Sequence, residues 1–235
     1  MSASYMRGAL IDFTQTLLIP TPNVIIFQYN PEAITHSWTQ SQPSGAQGNP
    51  LAVTGMPRES FSFTLVMDAN DQIGDGNPLA EASGIYSRLA ALEMLLYPTG
   101  AAGLASLLGQ VSANISVGGS SIGGSIGGSS AGAKATVPIS QVPTALFIWG
   151  PGRIVPVRVT GLTINEKIYD GLLNPIHAEA QLQLSVLTPE ELASVTGPLA
   201  QVAKAAYEYS QGLRQALALA NLANAAESII GMIPT

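Results

Sequence analysis

The chain contains no cysteine, which excludes disulfides, a thiolate nucleophile and Cys-ligated zinc, and leaves the redox compartment undetermined. It is also poor in charge. Asp, Glu, Lys and Arg make up 10% of its 235 residues, against about a quarter in ordinary soluble domains, and Ala and Gly fill much of the gap. A surface so short of charge fits either an Ala-rich composition or a protein partly covered by other protein. The net charge is −6, and without a clustered basic stripe no nucleic-acid partner is expected. Histidine is scarce. His36 and His177 each lie in a strand-like alternation, and only Glu179, two positions beyond His177, has anything like ligand spacing. Hydrogen bonding across strands is therefore expected of them, not metal binding or general-base work. No apolar run reaches the roughly 18 residues of a spanning helix, and MSASYMRGALIDFTQTLLIP lacks a signal-peptide pattern. The expectations are no metal, no cofactor, no membrane insertion and synthesis in the cytoplasm.

What is present is sheet. In Ile176–Val186, Ile176, Ala178, Ala180, Leu182, Leu184 and Val186 alternate with His177, Glu179, Gln181, Gln183 and Ser185, the period of an antiparallel strand with one buried face. RESFSFTLVMD, residues 58–68, repeats the pattern through Phe61, Phe63, Leu65 and Met67. VIIFQYN (24–30) and AITHSWTQ (33–40) read as strands meeting at Asn30-Pro31 in a hairpin or tight corner. In RIVPVRVT (153–160), Val155, Val157 and Val159 share a face. Pro156 lacks the ladder donor, which predicts an edge strand or a bulge and makes Pro156, Val157 and Arg158 candidate subunit-interface residues.

Between strands the signals change. Residues 42–57 read as a long loop, and DANDQIGDGNP (68–78) as a polar surface loop. Counted from Asp68, Ile73 and Leu79 stand where an EF-hand needs Gly and Glu, so a calcium loop is excluded. From Ser83 to Pro98 the period becomes helical through Ile85, Leu89, Leu92 and Leu96, with Ser83 as N-cap. Residues 100–141 hold a Gly/Ser tract, VGGSSIGGSIGGSSAGAKA, too poor in apolar surface to offset about 1–2 kcal/mol per residue of ordering entropy. It reads as an insertion within one domain. It twice matches G-x-S-x-G, at Ser121 and Ser125, but without the strand-to-helix context of a nucleophile elbow. Asn114 opens an idle sequon, no Walker or G-x-G-x-x-G loop occurs, and no catalytic residue is assigned.

Thr188-Pro189-Glu190-Glu191 opens a short helix. A longer Ala-rich helix follows Gly197-Pro198. In it Leu199, Val202, Ala206, Tyr209, Leu213, Ala216, Ala220 and Ala223 recur at steps of three and four, a heptad-like seam. That seam faces either a partner or the chain's own sheet, and Leu199, Val202, Ala206, Tyr209 and Leu213 complete the candidate interface. The organisation expected is an N-terminal arm (1–23), a β domain (24–192) carrying the insertion, and a helical extension (193–235).

Three segments carry a family likeness: VIIFQYNPEAITHSW, GIYSRLAALEMLLYP, and LFIWGPGRIVPVRVTGLTINEKIYDGLLNPIHAEAQLQLSVLTPEEL. Together they resemble the tube-like domain of contractile injection system baseplate proteins, a phage-tail-like family. The resemblance implies a mainly β fold with helices (α+β), an antiparallel β-sandwich or barrel with one packed helix and, here, a C-terminal Ala-rich helix. It implies a structural role in an assembled particle: a homohexameric ring at the baseplate end of the inner tube, with the inner-tube protein and hub or spike proteins as partners; an inner-tube or tube-initiator subunit of the same machine, or a stand-alone soluble ligand- or peptide-binding β domain, is the alternative. Family members often continue into a LysM module; after Leu192 this chain has no such segment.

Overall fold

A computed structural model describes residues 6–16, 19–40, 53, 55–97, 142–195 and 199–230. Its strands are β1 (Ala9–Thr16), β2 (Ile19–Ile26), β3 (Ile34–Thr39), β4 (Arg58–Asp68), β5 (Ala145–Ile148), β6 (Ile154–Tyr169) and β7 (Pro175–Val186). Its helices are α1 (Asn70–Gly74), α2 (Pro78–Ser83), α3 (Tyr86–Glu93), α4 (Pro189–Ser194) and α5 (Leu199–Ile230). The fold is mainly β with helices. All seven strands join one antiparallel sheet in the order β2-β1-β5-β6-β7-β4-β3.

That order puts β2 and β3 at opposite edges, yet only residues 27–33 connect them. Six gaps of about 4.8 Å would separate the edges of a flat sheet by about 29 Å, at or beyond the full reach of the eight steps from Ile26 to Ile34 at about 3.5 Å each. The sheet must therefore curl. Its ends do meet: the Phe27 and Phe63 rings lie 5.6 Å apart, and Asp68 donates its backbone N–H to Gln28 Oε1 at 3.0 Å. Asn30-Pro31 marks a corner between edges and not a hairpin.

The inner face of this sandwich-like curl is the main core. Phe61, Phe63, Leu65 and Met67 from β4 meet Leu182 and Leu184 from β7, the valines of β6 and Phe147 from β5. α3 closes it through Leu89 and Leu92, with Ile85 and Leu95 at its two ends. The helix expected from Ser83 starts later, at Tyr86, as α3, and Ser83 instead ends a separate short helix, α2. Gly84 sits at φ 55°, where a Cβ would come within 2.1 Å of the Pro175 carbonyl oxygen, and Ile85 donates its N–H to that same oxygen. Ser83 caps nothing; its hydroxyl donates to Leu79 O within α2. The expected polar loop at 68–78 contains α1, and Asn77 caps α2 by accepting from Leu79 N and Ala80 N.

Two further expectations are corrected. The stretch read as an N-terminal arm (1–23) supplies β1, which lies inside the sheet between β2 and β5 with Leu10 fully buried, and most of β2. Pro20 and Pro22 obscured this, and both fall in β2, an edge strand where a missing donor is tolerated. Pro156 is neither at an edge nor at a bulge. It is buried in β6 between β5 and β7, opposite Leu146, and the register shifts of β6 come later, from Val159 onward. Its carbonyl faces β7 and accepts from Leu187 N just past the last ladder pair, Val157 with Val186. The ring therefore stands where the β7 ladder has ended, and only one donor is forgone.

A second, smaller core lies on the outer face. Leu146, Leu187, Leu192, Ala203 and Ala206 cluster there, with Ile11, Ile154 and Tyr207 against them. α4 begins as its sequence predicts, with Thr188 and Glu191 forming a reciprocal capping box and Pro189 in the first turn.

Candidate functional site

Two features stand out on this framework: an open strand edge on β6, and a polar knot that fastens α5 to the sheet. The open edge follows from unequal strand lengths. β5 has four residues and covers only Ile154–Val157 of β6, while β6 runs on to Tyr169 beside β7. From Arg158 to Tyr169, β6 has β7 on one side and no strand on the other among the described residues. At about 3.3 Å per residue this leaves 35–40 Å of backbone, roughly, with donors and acceptors open on one side. At the tip of the β6–β7 hairpin, Leu172 and Leu173 are 80% and 79% exposed. The Asp170 carboxylate orders that turn by accepting from the backbone N–H groups of Leu172 and Asn174.

The expected interface residues divide across this geometry. Pro156 and Val157 are buried inside the sheet. Arg158 stands where the open edge begins, reaching toward Glu191 of α4 at 3.9 Å with its Nε buried and unbonded. On α5 the face that packs on β6 is Ala203, Ala206, Tyr207 and Ser210, and the Ser210 hydroxyl donates to Ile154 O at 2.6 Å. Of the expected seam, Ala206 belongs to this face and Leu213 is half-buried, whereas Val202 and Tyr209 are 47% and 50% exposed. The Tyr209 hydroxyl nonetheless donates to Pro151 O at 2.9 Å. The side chain of Leu199 lies outside the described residues, as do Ser121, Ser125, Asn114 and the Gly/Ser insertion. Beyond Arg214 the helix leaves the body: residues 215–222 are all exposed, Leu217, Leu219 and Leu222 among them.

The knot lies where α5 passes the start of β4. Glu59 shares the inward face of β4 with Phe61 and Phe63 and is 5% exposed. It accepts a two-pronged bond from the Arg214 guanidinium, one arm at 2.8 Å, and shares Oε1 with His36 Nε2 at 2.6 Å. His36 stacks on Phe61 at 4.1 Å between ring centres and touches Trp38. Arg153, from the β5–β6 turn, places its guanidinium 5.3 Å over the Phe61 ring. Burial pushes the His36 imidazole below its ordinary pKa. The hydrogen bond and charge of Glu59 oppose that shift, and the charges of Arg153 and Arg214 add to it. A cleft of about 180 Å³ opens beside the knot, lined in part by Trp38, Leu187, Tyr207 and Gln211.

His177 lies opposite Asp68 across the β4–β7 ladder, with Nδ1 3.1 Å from Oδ2. Each histidine thus pairs with a carboxylate near one end of β4, the cross-strand use expected of them. Glu179 pairs with Lys167 on the exposed face. Among the described residues no group of three or more His, Cys, Asp or Glu could hold a metal ion, and no helix is long and apolar enough to cross a membrane. No protein-family model and no curated protein matches this chain.

Proposed function

We propose that this chain is a structural component of a contractile injection system: a ring-forming subunit at the baseplate end of the inner tube that adapts the tube to the hub and spike. The observation that carries the ring is the open outer half of β6. An unpaired edge of that length is a template for uncontrolled pairing, and a head-to-tail ring of copies removes it by seating a neighbour's edge strand there. β2 and β3, each paired on one side only within the sheet, are the strands that a neighbouring copy offers. The kind of machine rests on the sequence likeness of the three segments. The partners are then further copies of this chain, the inner-tube protein and the hub or spike proteins, and the role is scaffolding, not catalysis.

The test is genetic and visual. With the gene for this chain removed, electron microscopy should find no properly assembled baseplate-and-sheath particles. Intact, contractile particles in its absence refute the proposal.

A further inference from the structure

We propose that the knot of Glu59, His36 and Arg214 is a proton-operated latch on α5, closed at neutral pH and loosened in mild acid by exchange of the Arg214 guanidinium for a proton on His36. The inference stands on the sheet and helix geometry and is independent of the machine to which the chain belongs.

The attachment of α5 is unusually light for a helix of its length. Its docked face is built from Ala203, Ala206, Tyr207 and Ser210, so little apolar area holds it, at about 25 cal/mol per Å². Beyond the knot the described side chains, residues 215–222, touch nothing that buries them. Among the described side chains of α5, Arg214 is therefore the last anchor before the exposed stretch 215–222, and its acceptor is a carboxylate that His36 already shares.

The groups facing His36 are few. Glu59 approaches from β4, Arg214 from α5 and Arg153 from the β5–β6 turn, while its ring is held by Phe61 and by Trp38 of its own strand. With α5 docked, a proton on His36 adds a second cation to the carboxylate that Arg214 already holds, within the field of Arg153. With α5 lifted, Arg214 is gone and water reaches the site. Imidazolium and Glu59 then form a two-member pair with no competing guanidinium from the helix. The undocked form consequently takes the proton more readily, and by linkage acid favours undocking. The sign agrees with the depressed native titration of His36: its contribution is complete above its ordinary value of 6.5 and is lost as pH falls through the lower native value. At pH 5 the difference between an imidazole kept neutral and one titrating at its ordinary value is about thirtyfold, which sets the scale of the effect.

Hydrogen exchange on the full chain, corrected for the intrinsic pH dependence of exchange, reads the latch directly. Between pH 7.5 and 5.0 the protection of residues 200–214 should fall several-fold, while that of β5 and β7 stays constant. In His36→Gln the α5 protection should be flat over the same range. In Arg214→Gln it should be low already at pH 7.5 and fall no further, a readout that still decides if the His36 variant does not fold. His177→Gln should respond to acid as the parent does. Constant α5 protection in the parent, or an undiminished acid response in either His36→Gln or Arg214→Gln, overturns the latch.

Discussion

Replacing Glu59 by alanine takes away the acceptor shared by Arg214 and His36 and leaves both facing an apolar wall. Breaking one partner of a buried pair costs about 3–5 kcal/mol. The Arg214 side chain is 34% exposed and partly screened by solvent, so a loss of about 2–3 kcal/mol is expected here, read as a lower urea midpoint with unchanged slope. Asp68 gives a prediction of pH dependence. Burial raises its carboxyl, but hydrogen bonds from the Asn70 N–H and from His177, together with the charge of His177, outweigh that and hold it below 3.8. This contribution is present above 3.8 and lost as pH falls through the lower native value. Urea unfolding of Asp68→Asn across the acid range should therefore lack this part of the parent's decline. Glu59 is legible in the sequence: it occupies the odd-numbered face of β4 with Phe61, Phe63, Leu65 and Met67, as the one charged member of an otherwise apolar alternation. Arg214 is not, because 155 residues separate it from Glu59 and no local pattern pairs them.

At the scale of elements, α5 shows where periodicity runs out. Steps of three and four in an Ala-rich helix fit several faces equally well, and Val202 and Tyr209 of the expected seam are half exposed while Ala203 and Ala206 bring the helix close to the sheet. Ala203 is fully buried at that contact, so Ala203→Leu should overpack it and cost about 1–3 kcal/mol, measured by thermal or urea unfolding. Joint replacement of Leu217, Leu219 and Leu222 by glutamine should leave the stability of the isolated chain within about 0.5 kcal/mol per site. A larger loss would mean that these exposed leucines are packed in the native fold. The strands were more legible than the helices, since a period of two over Pro175–Val186 and Arg58–Asp68 has one solution. Pro156 misled for a physical reason: a missing donor marks an edge only if the adjacent ladder continues, and here the β7 ladder ends beside it. The open edge of β6 starts at Arg158, and only the length of β5, a long-range property, reveals it.

For the whole molecule, the antiparallel sheet with one buried face followed from alternation, but closure of the sheet did not. Closure depends on β1, hidden in a segment that reads as an arm, and on a short link joining opposite edges of a seven-stranded sheet. The result is a curled sheet covered on its outer face by α4 and the first half of α5 and, among the described residues, left open along outer β6. On the proposed reading, that edge is satisfied by strands shared with copies of the same chain. Cryo-electron microscopy of the assembled particle tests this most directly. The account predicts a closed ring of this chain at the baseplate end of the tube, with a neighbour's strand hydrogen-bonded along β6 between Arg158 and Tyr169. A map in which that edge faces solvent, or in which the chain has no place in the particle, would contradict it.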